Sequence, residues 1–223
     1  MKRRVLIVSV SAGAGHLRAA QAVEEALALR HPDVEVLNVD ALDYVPAAFR
    51  RMYSKGYLRL VNHAPALWNY IYERAERARP TAVSARLNRL VERLNSRRLV
   101  RAATDFAPSE ILAVHPLPMD VFNRLKRRGK LKARVSVAVT DFDVHPLWID
   151  PATDLYFAGC EEVAHRLALR GVRPRTVAVT GIPVVPQFAG PIRPEVRDRV
   201  RSELGLRAGR SAGLASAGGS AAP

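Results

Sequence analysis

The chain has 223 residues, 48% of them hydrophobic and 25% charged, with 35 Lys and Arg against 21 Asp and Glu for a formal net charge of +14. That balance excludes a chain disordered over most of its length, provides one large domain or two small ones, and directs attention to polyanionic partners: nucleic acid, anionic lipid or a phosphorylated substrate. A lone Cys160 excludes an internal disulfide framework, and no apolar run reaches the roughly 20 residues that span a bilayer.

Residues 5–10 (VLIVSV) are a short apolar run, β-branched at four of six positions, as in a strand buried on both faces of a parallel sheet. The basic start before it imitates a signal peptide, but the run is too short and leads straight into Gly13, Gly15, His16 and Arg18. Residues 17–30 repeat apolar side chains at Ala19, Ala20, Val23, Ala26, Leu27 and Ala28, which predicts a helix, and 34–39 (VEVLNV) alternate into a second strand. Strand, helix and strand within about 40 residues make a βαβ unit with parallel strands. From Pro46 to Arg101 the chain becomes helical, aromatic and basic. Further strands are predicted at 110–115, 135–140, 155–158 and 176–180, with helices near 119–128 and 161–170. The expectation is an α/β fold: a Rossmann-like open parallel sheet with helices on both faces. Of the final residues 207–223, thirteen of 17 are Ala, Gly or Ser, which predicts a flexible tail.

Three features carry chemistry. The turn from Ser11 to His16 follows the first strand and opens the first helix, at the edge of the sheet where open α/β proteins bind ligands. Its glycines permit positive φ or close backbone approach, and the helix start offers unpaired N–H groups. It is not a Walker A loop, because no Gly-Lys-Ser/Thr follows. As a dinucleotide fingerprint it has Arg18 where the third small residue belongs, leaving only Asp40 to mimic a ribose-binding acid. His16 reads either as a solvated capping residue or as a general base, neutral enough near pH 7 to take a proton.

The second feature, Thr140-Asp141-Phe142-Asp143-Val144-His145-Pro146-Leu147-Trp148, follows the strand at 135–140. It reads as an Asp-x-Asp-x-His metal site, as an ordinary turn with Asp141 capping and His145 half exposed, or as a substrate site. In the last, Asp141 and His145 bind a polar acceptor and Trp148 lines an apolar wall. His115, in VHPLP, is a third histidine placed after a predicted strand. The third feature is the stretch 50–101, with thirteen basic residues against three acidic ones, +10 of the chain's charge. Arg50, Arg51, Tyr53, Lys55, Tyr57, Arg59 and Trp68 have the composition of a membrane-interface helix. The competing readings are a cover helix with its aromatic side on the sheet, and a single-stranded nucleic acid binder, for which no signature accompanies the residues.

The ordered set LIVSVSAGAGHLRAAQAVEEAL, ILAVHPLP, and VAVTDFDVHPLW continuing to TGIPVVPQF resembles the N-terminal half of the monogalactosyldiacylglycerol synthase and processive diacylglycerol glucosyltransferase group. These are family-28 GT-B glycosyltransferases, related to the peptidoglycan enzyme MurG, and the resemblance covers residues 4–206. It implies inverting transfer of a hexose from a UDP-sugar to diacylglycerol, without a bound metal or other cofactor, by a peripheral protein at the cytoplasmic face of the cell membrane. His16 would be the base, and Gly13 and Gly15 would shape the turn. His115, Asp141, His145 and Trp148 would line the acceptor cleft, while the segment holding Arg50 to Trp68 would dock on anionic lipid. Asp143 departs from the neutral or small residue expected there. The implied organisation is an acceptor- and membrane-binding domain over 1–206. Residues 207–223 would be a disordered tail, the truncated or frameshifted start of the domain that binds the UDP-sugar. The partners expected are diacylglycerol and an anionic membrane, with UDP-sugar only when a C-terminal domain is present and no nucleic acid. Such a chain alone would be inactive, and the alternative is a non-catalytic domain that binds anionic lipid surfaces.

Overall fold

The structure, a computed structural model, describes residues 2–11, 13–47, 50–51, 96–207 and 210–213. Tyr53, Lys55, Tyr57, Arg59 and Trp68 lie outside the described residues, as does most of 207–223.

Six strands, β1 (Arg4–Ser9), β2 (Glu35–Asp40), β3 (Glu110–Ala113), β4 (Arg134–Ala138), β5 (Leu155–Ala158) and β6 (Val177–Val179), form one sheet. All pair in parallel, in the order β2-β1-β3-β4-β5-β6. The helices are α1 (Ala14–Arg30), α2 (Pro116–Arg127), α3 (Glu161–Leu169) and α4 (Pro194–Glu203), with a helical stretch at 96–106 before β3. This is a Rossmann-like α/β fold.

Strand alternation divides the core between the two faces. Leu6, Val8 and Val10 of the first strand and its exit pack with Ile111, Val135, Phe122 of α2, and Leu99 and Ala103 of the helical stretch. Ile7 points the other way, into a cluster with Ala19 and Ala20 of α1, Leu112, Val114 and Ala138. A parallel sheet covered on both faces needs strands that are apolar throughout, which is why residues 5–10 contain no alternating polar positions.

The observed elements differ from the sequence expectation mainly at their ends. β3 stops at Ala113 and α2 begins at Pro116, three residues earlier than the apolar pattern indicates. Proline suits the first helical position because its missing N–H is unneeded there. His115, extended at φ −159°, becomes the cap, its Nδ1 accepting the Leu117 N–H at 3.1 Å. α4 is a helix with no expectation behind it: none of its residues is buried, so no apolar face announces it. Among the described residues no helix is long and apolar enough to cross a membrane.

Candidate active site

From β1 the chain crosses to β2 on one side, and the following connection returns to place β3 on the other. The loops leaving β1 and β3 therefore diverge, and a crevice opens between them at the carboxyl end of the sheet. His16, in the first turn of α1, and His115, the cap of α2, enter that crevice from its two sides. Their rings meet edge to face, with centroids 4.8 Å apart and planes at 78°.

The third wall is the loop that follows β4. Thr140 Oγ1 stands 3.0 Å from His16 Nδ1. The Trp148 ring lies 6.4 Å from the His16 ring, and its indole N–H donates to Asp141 Oδ2 at 2.8 Å. Trp148 is 1% exposed, whereas the Asp141 residue is exposed to solvent. Besides its ring, Trp148 thus brings a buried hydrogen-bond donor to the site, because its N–H needs a partner once the ring is covered. His145 is also buried, and its Nδ1 accepts the Leu147 N–H at 3.1 Å to cap the short 3₁₀ turn Pro146–Trp148. Asp141 therefore stands near His16, while His145 serves the turn beneath Trp148.

Burial holds the pKa of His16 below the ordinary histidine value, and the Asp141 carboxylate and the Val114 carbonyl oppose that shift. For His115, burial and the neighbouring His16 push it down to about 3. Because His115 Nδ1 accepts a backbone N–H, its single proton resides on Nε2. The arrangement pairs a histidine neutral near pH 7 with a carboxylate that stabilises the charge it would gain, the requirement for a general base.

Several alternatives left open by the sequence lose their geometry. Gly13 is extended at φ 163°, Gly15 lies within α1, and a Cβ at either would meet nothing within 4 Å. The turn does not require the positive φ that its glycines suggested. Asp40 Oδ1 accepts the Ser11 N–H at 3.2 Å and the Leu42 N–H at 2.9 Å, so the acid proposed for a ribose ties the turn to the end of β2. Asp143 Oδ1 accepts the Val144 N–H at 2.9 Å and pairs with Arg166 at 2.7 Å. With Asp141 on Trp148 and His145 on Leu147, Asp-x-Asp-x-His does not converge on one point. Among the described residues no group of three His, Cys, Asp or Glu is placed to hold a metal. Arg50 pairs with Asp43 at 2.8 Å just beyond β2, and Arg51 is exposed. Thr140 is the site residue to which the sequence reading gave no role; its position directly before Asp141 at the end of a strand was the available signal.

The model of the monogalactosyldiacylglycerol (MGDG) synthase family matches residues 16–184, three quarters of the chain. The chain belongs to this family. The match starts at His16 and closes at Val184, so it contains His16, His115, Thr140, Asp141, His145 and Trp148. Among MGDG synthases, the chloroplastic enzyme of Spinacia oleracea is 30% identical over 209 residues, 92% of this chain and 39% of the relative. Monogalactosyldiacylglycerol synthase 1 of Arabidopsis thaliana is 29% identical over 222 residues, covering 97% and 40%. The processive diacylglycerol beta-glucosyltransferase of Bacillus subtilis is 26% identical over 190 residues, covering 83% and 47%. The chain thus spans less than half the length of the relatives it matches. The apo structure of the lipopolysaccharide outer core galactosyltransferase WaaB aligns with 79% of this chain and 44% of its own, at 10% identity and a TM-score of 0.49.

Proposed function

We propose that this member of the MGDG synthase family is the acceptor-binding half of an inverting, GT-B-type glycosyltransferase that moves a hexose from a UDP-sugar to diacylglycerol. The supporting observation is His16, neutral, bonded to Thr140 and beside the Asp141 carboxylate at the topological switch point. In this reading the diacylglycerol hydroxyl attacks the anomeric carbon from the face opposite UDP. His16 takes the hydroxyl proton as the new C–O bond forms. The bond to UDP breaks, the diphosphate leaves with the electron pair, and Asp141 stabilises the imidazolium until the proton returns to solvent. The diphosphate needs positioned donors and cations around it. We assign these to the part of the relatives' length that this chain does not match, with residues 1–206 forming the acceptor- and membrane-binding unit. The basic, aromatic stretch 50–101 would hold the protein peripherally on anionic lipid, at the cytoplasmic face in a bacterial setting.

The test combines the purified chain, diacylglycerol vesicles and labelled UDP-hexose, with and without the C-terminal half of a family member. Transfer is expected only for the pair, and His16→Ala should lower it by roughly 10²–10⁴-fold, the contribution typical of a general base. Equal transfer by His16→Ala would remove the base assignment. Vesicle binding without transfer by any pair would favour the non-catalytic lipid-binding alternative.

A further inference from the structure

The bond between Trp148 and Asp141 joins residues on opposite sides of the protein surface: one is buried, the other exposed. A carboxylate on an exposed loop would ordinarily sample several rotamers and be solvated in most of them. Here it meets a fixed donor. The Trp148 N–H belongs to the backbone-anchored turn Pro146–Trp148, whose main chain bonds to His145 C=O at 2.9 Å. Two residues later, Asp150 N–H donates to Tyr156 Oη at 2.9 Å, the Tyr156 hydroxyl donates to Asp150 C=O at 3.1 Å, and Arg127 of α2 pairs with the Asp150 carboxylate. The indole is therefore referenced to β5 and α2, elements that the sheet holds rigid.

We infer that Trp148 is a positioning residue: its indole N–H holds the Asp141 carboxylate on the side of the crevice occupied by His16, so that the two work as a pair. Its importance for transfer rests on the function proposed above, but the juxtaposition itself does not. Among the described residues, the titratable groups facing His16 are few. Asp141 comes from the β4 loop and His115 from α2. The segment Pro186–Phe188, which packs on α1, brings none. Asp40 is committed to the Ser11 and Leu42 amides, and Arg18 on α1 itself bonds Gln21. Asp141 is thus the group through which Trp148 can act on His16.

The test follows the His16 ring by NMR through a pH titration of the whole chain, in wild type, Asp141→Asn, and a protein carrying benzothienylalanine at 148. The last replaces the indole N–H by sulfur and keeps the ring's shape, so the packing is retained; Trp148→Phe is a genetic second variant. Asp141→Asn is expected to lower the His16 midpoint, since a carboxylate favours the imidazolium. The sulfur analogue should lose at least half of the same difference with an unchanged fold. A His16 midpoint equal to wild type in the analogue, or an Asp141→Asn midpoint that does not move, overturns the inference. Loss of transfer in the His16→Ala pair bears on the function alone, so the two readings fail separately.

Discussion

His16 and His115 touch, yet they respond to acid differently. His115 is the better buried and spends its Nδ1 lone pair on a helix cap, so protonation would cost both solvation and the Leu117 hydrogen bond. In the unfolded chain the same ring titrates near 6.5. Between 6.5 and about 3 the unfolded state therefore binds a proton that the native state does not, and stability falls as the pH is lowered through that window. The contribution is about 1.4 kcal/mol per pH unit for this one group. Urea unfolding at a series of pH values should show a shallower acid slope for His115→Asn, which keeps a capping oxygen but cannot titrate. Identical slopes would show that His115 is not held neutral. At this scale the sequence revealed which residues stand at strand ends, because a strand exit is marked by the end of an apolar run. It did not reveal the Trp148–Asp141 bond, which depends on how the 3₁₀ turn folds the six intervening positions back on themselves.

Among the elements, the loops after β5 and β6 are locked together by one close approach. A Cβ on Gly159 would lie 2.9 Å from Ile182 Cγ1, and Gly181 beside it adopts φ +83°, a conformation that favours glycine. Gly159→Ala should therefore destabilise by about 1–3 kcal/mol, the usual cost of overpacking. Adding Ile182→Ala should recover part of that loss in a double-mutant cycle. Additive effects would mean that the contact is slack. The strands of this region were legible as runs such as LYFA, whereas the short turns were not. Pro174–Thr176, Pro186–Phe188 and Pro146–Trp148 each begin on a proline, which marks a break in the chain but not the 3₁₀ geometry that follows it. α4 was missed for the opposite reason: the apolar positions Val196 and Val200 stand among alternating charges with no core to face.

Over the whole molecule, the charge is unevenly spread along the chain, with +10 of the +14 in residues 50–101. That stretch leaves beyond the carboxyl end of β2, where Arg50 and Arg51 stand, and returns through Leu99 in the core. Binding to anionic vesicles is expected to weaken steeply between about 0.1 M and 1 M salt, as the screening length falls from about 10 Å to about 3 Å. Comparable sedimentation with neutral vesicles would count against the electrostatic attachment. The parallel order followed from the alternation of strands and helices, but the partner seated on each side of β1, and with it the switch point, did not, since sequence adjacency does not tell on which edge a strand is added.

The level register across β1, β3 and β4 has a consequence for how such a chain tolerates change. Val8 is paired with Ala113 and Ala113 with Val137, so the three loops that bring His16, His115 and Thr140 start from one line. Losing a single residue inside β4 would send each of its side chains into the core on the opposite face of the sheet and carry Thr140 away from His16, because strand side chains alternate. Insertions should therefore be tolerated in the connections at the far, amino-terminal edge, such as the exposed residues 128–130, while the strands keep a fixed count of residues.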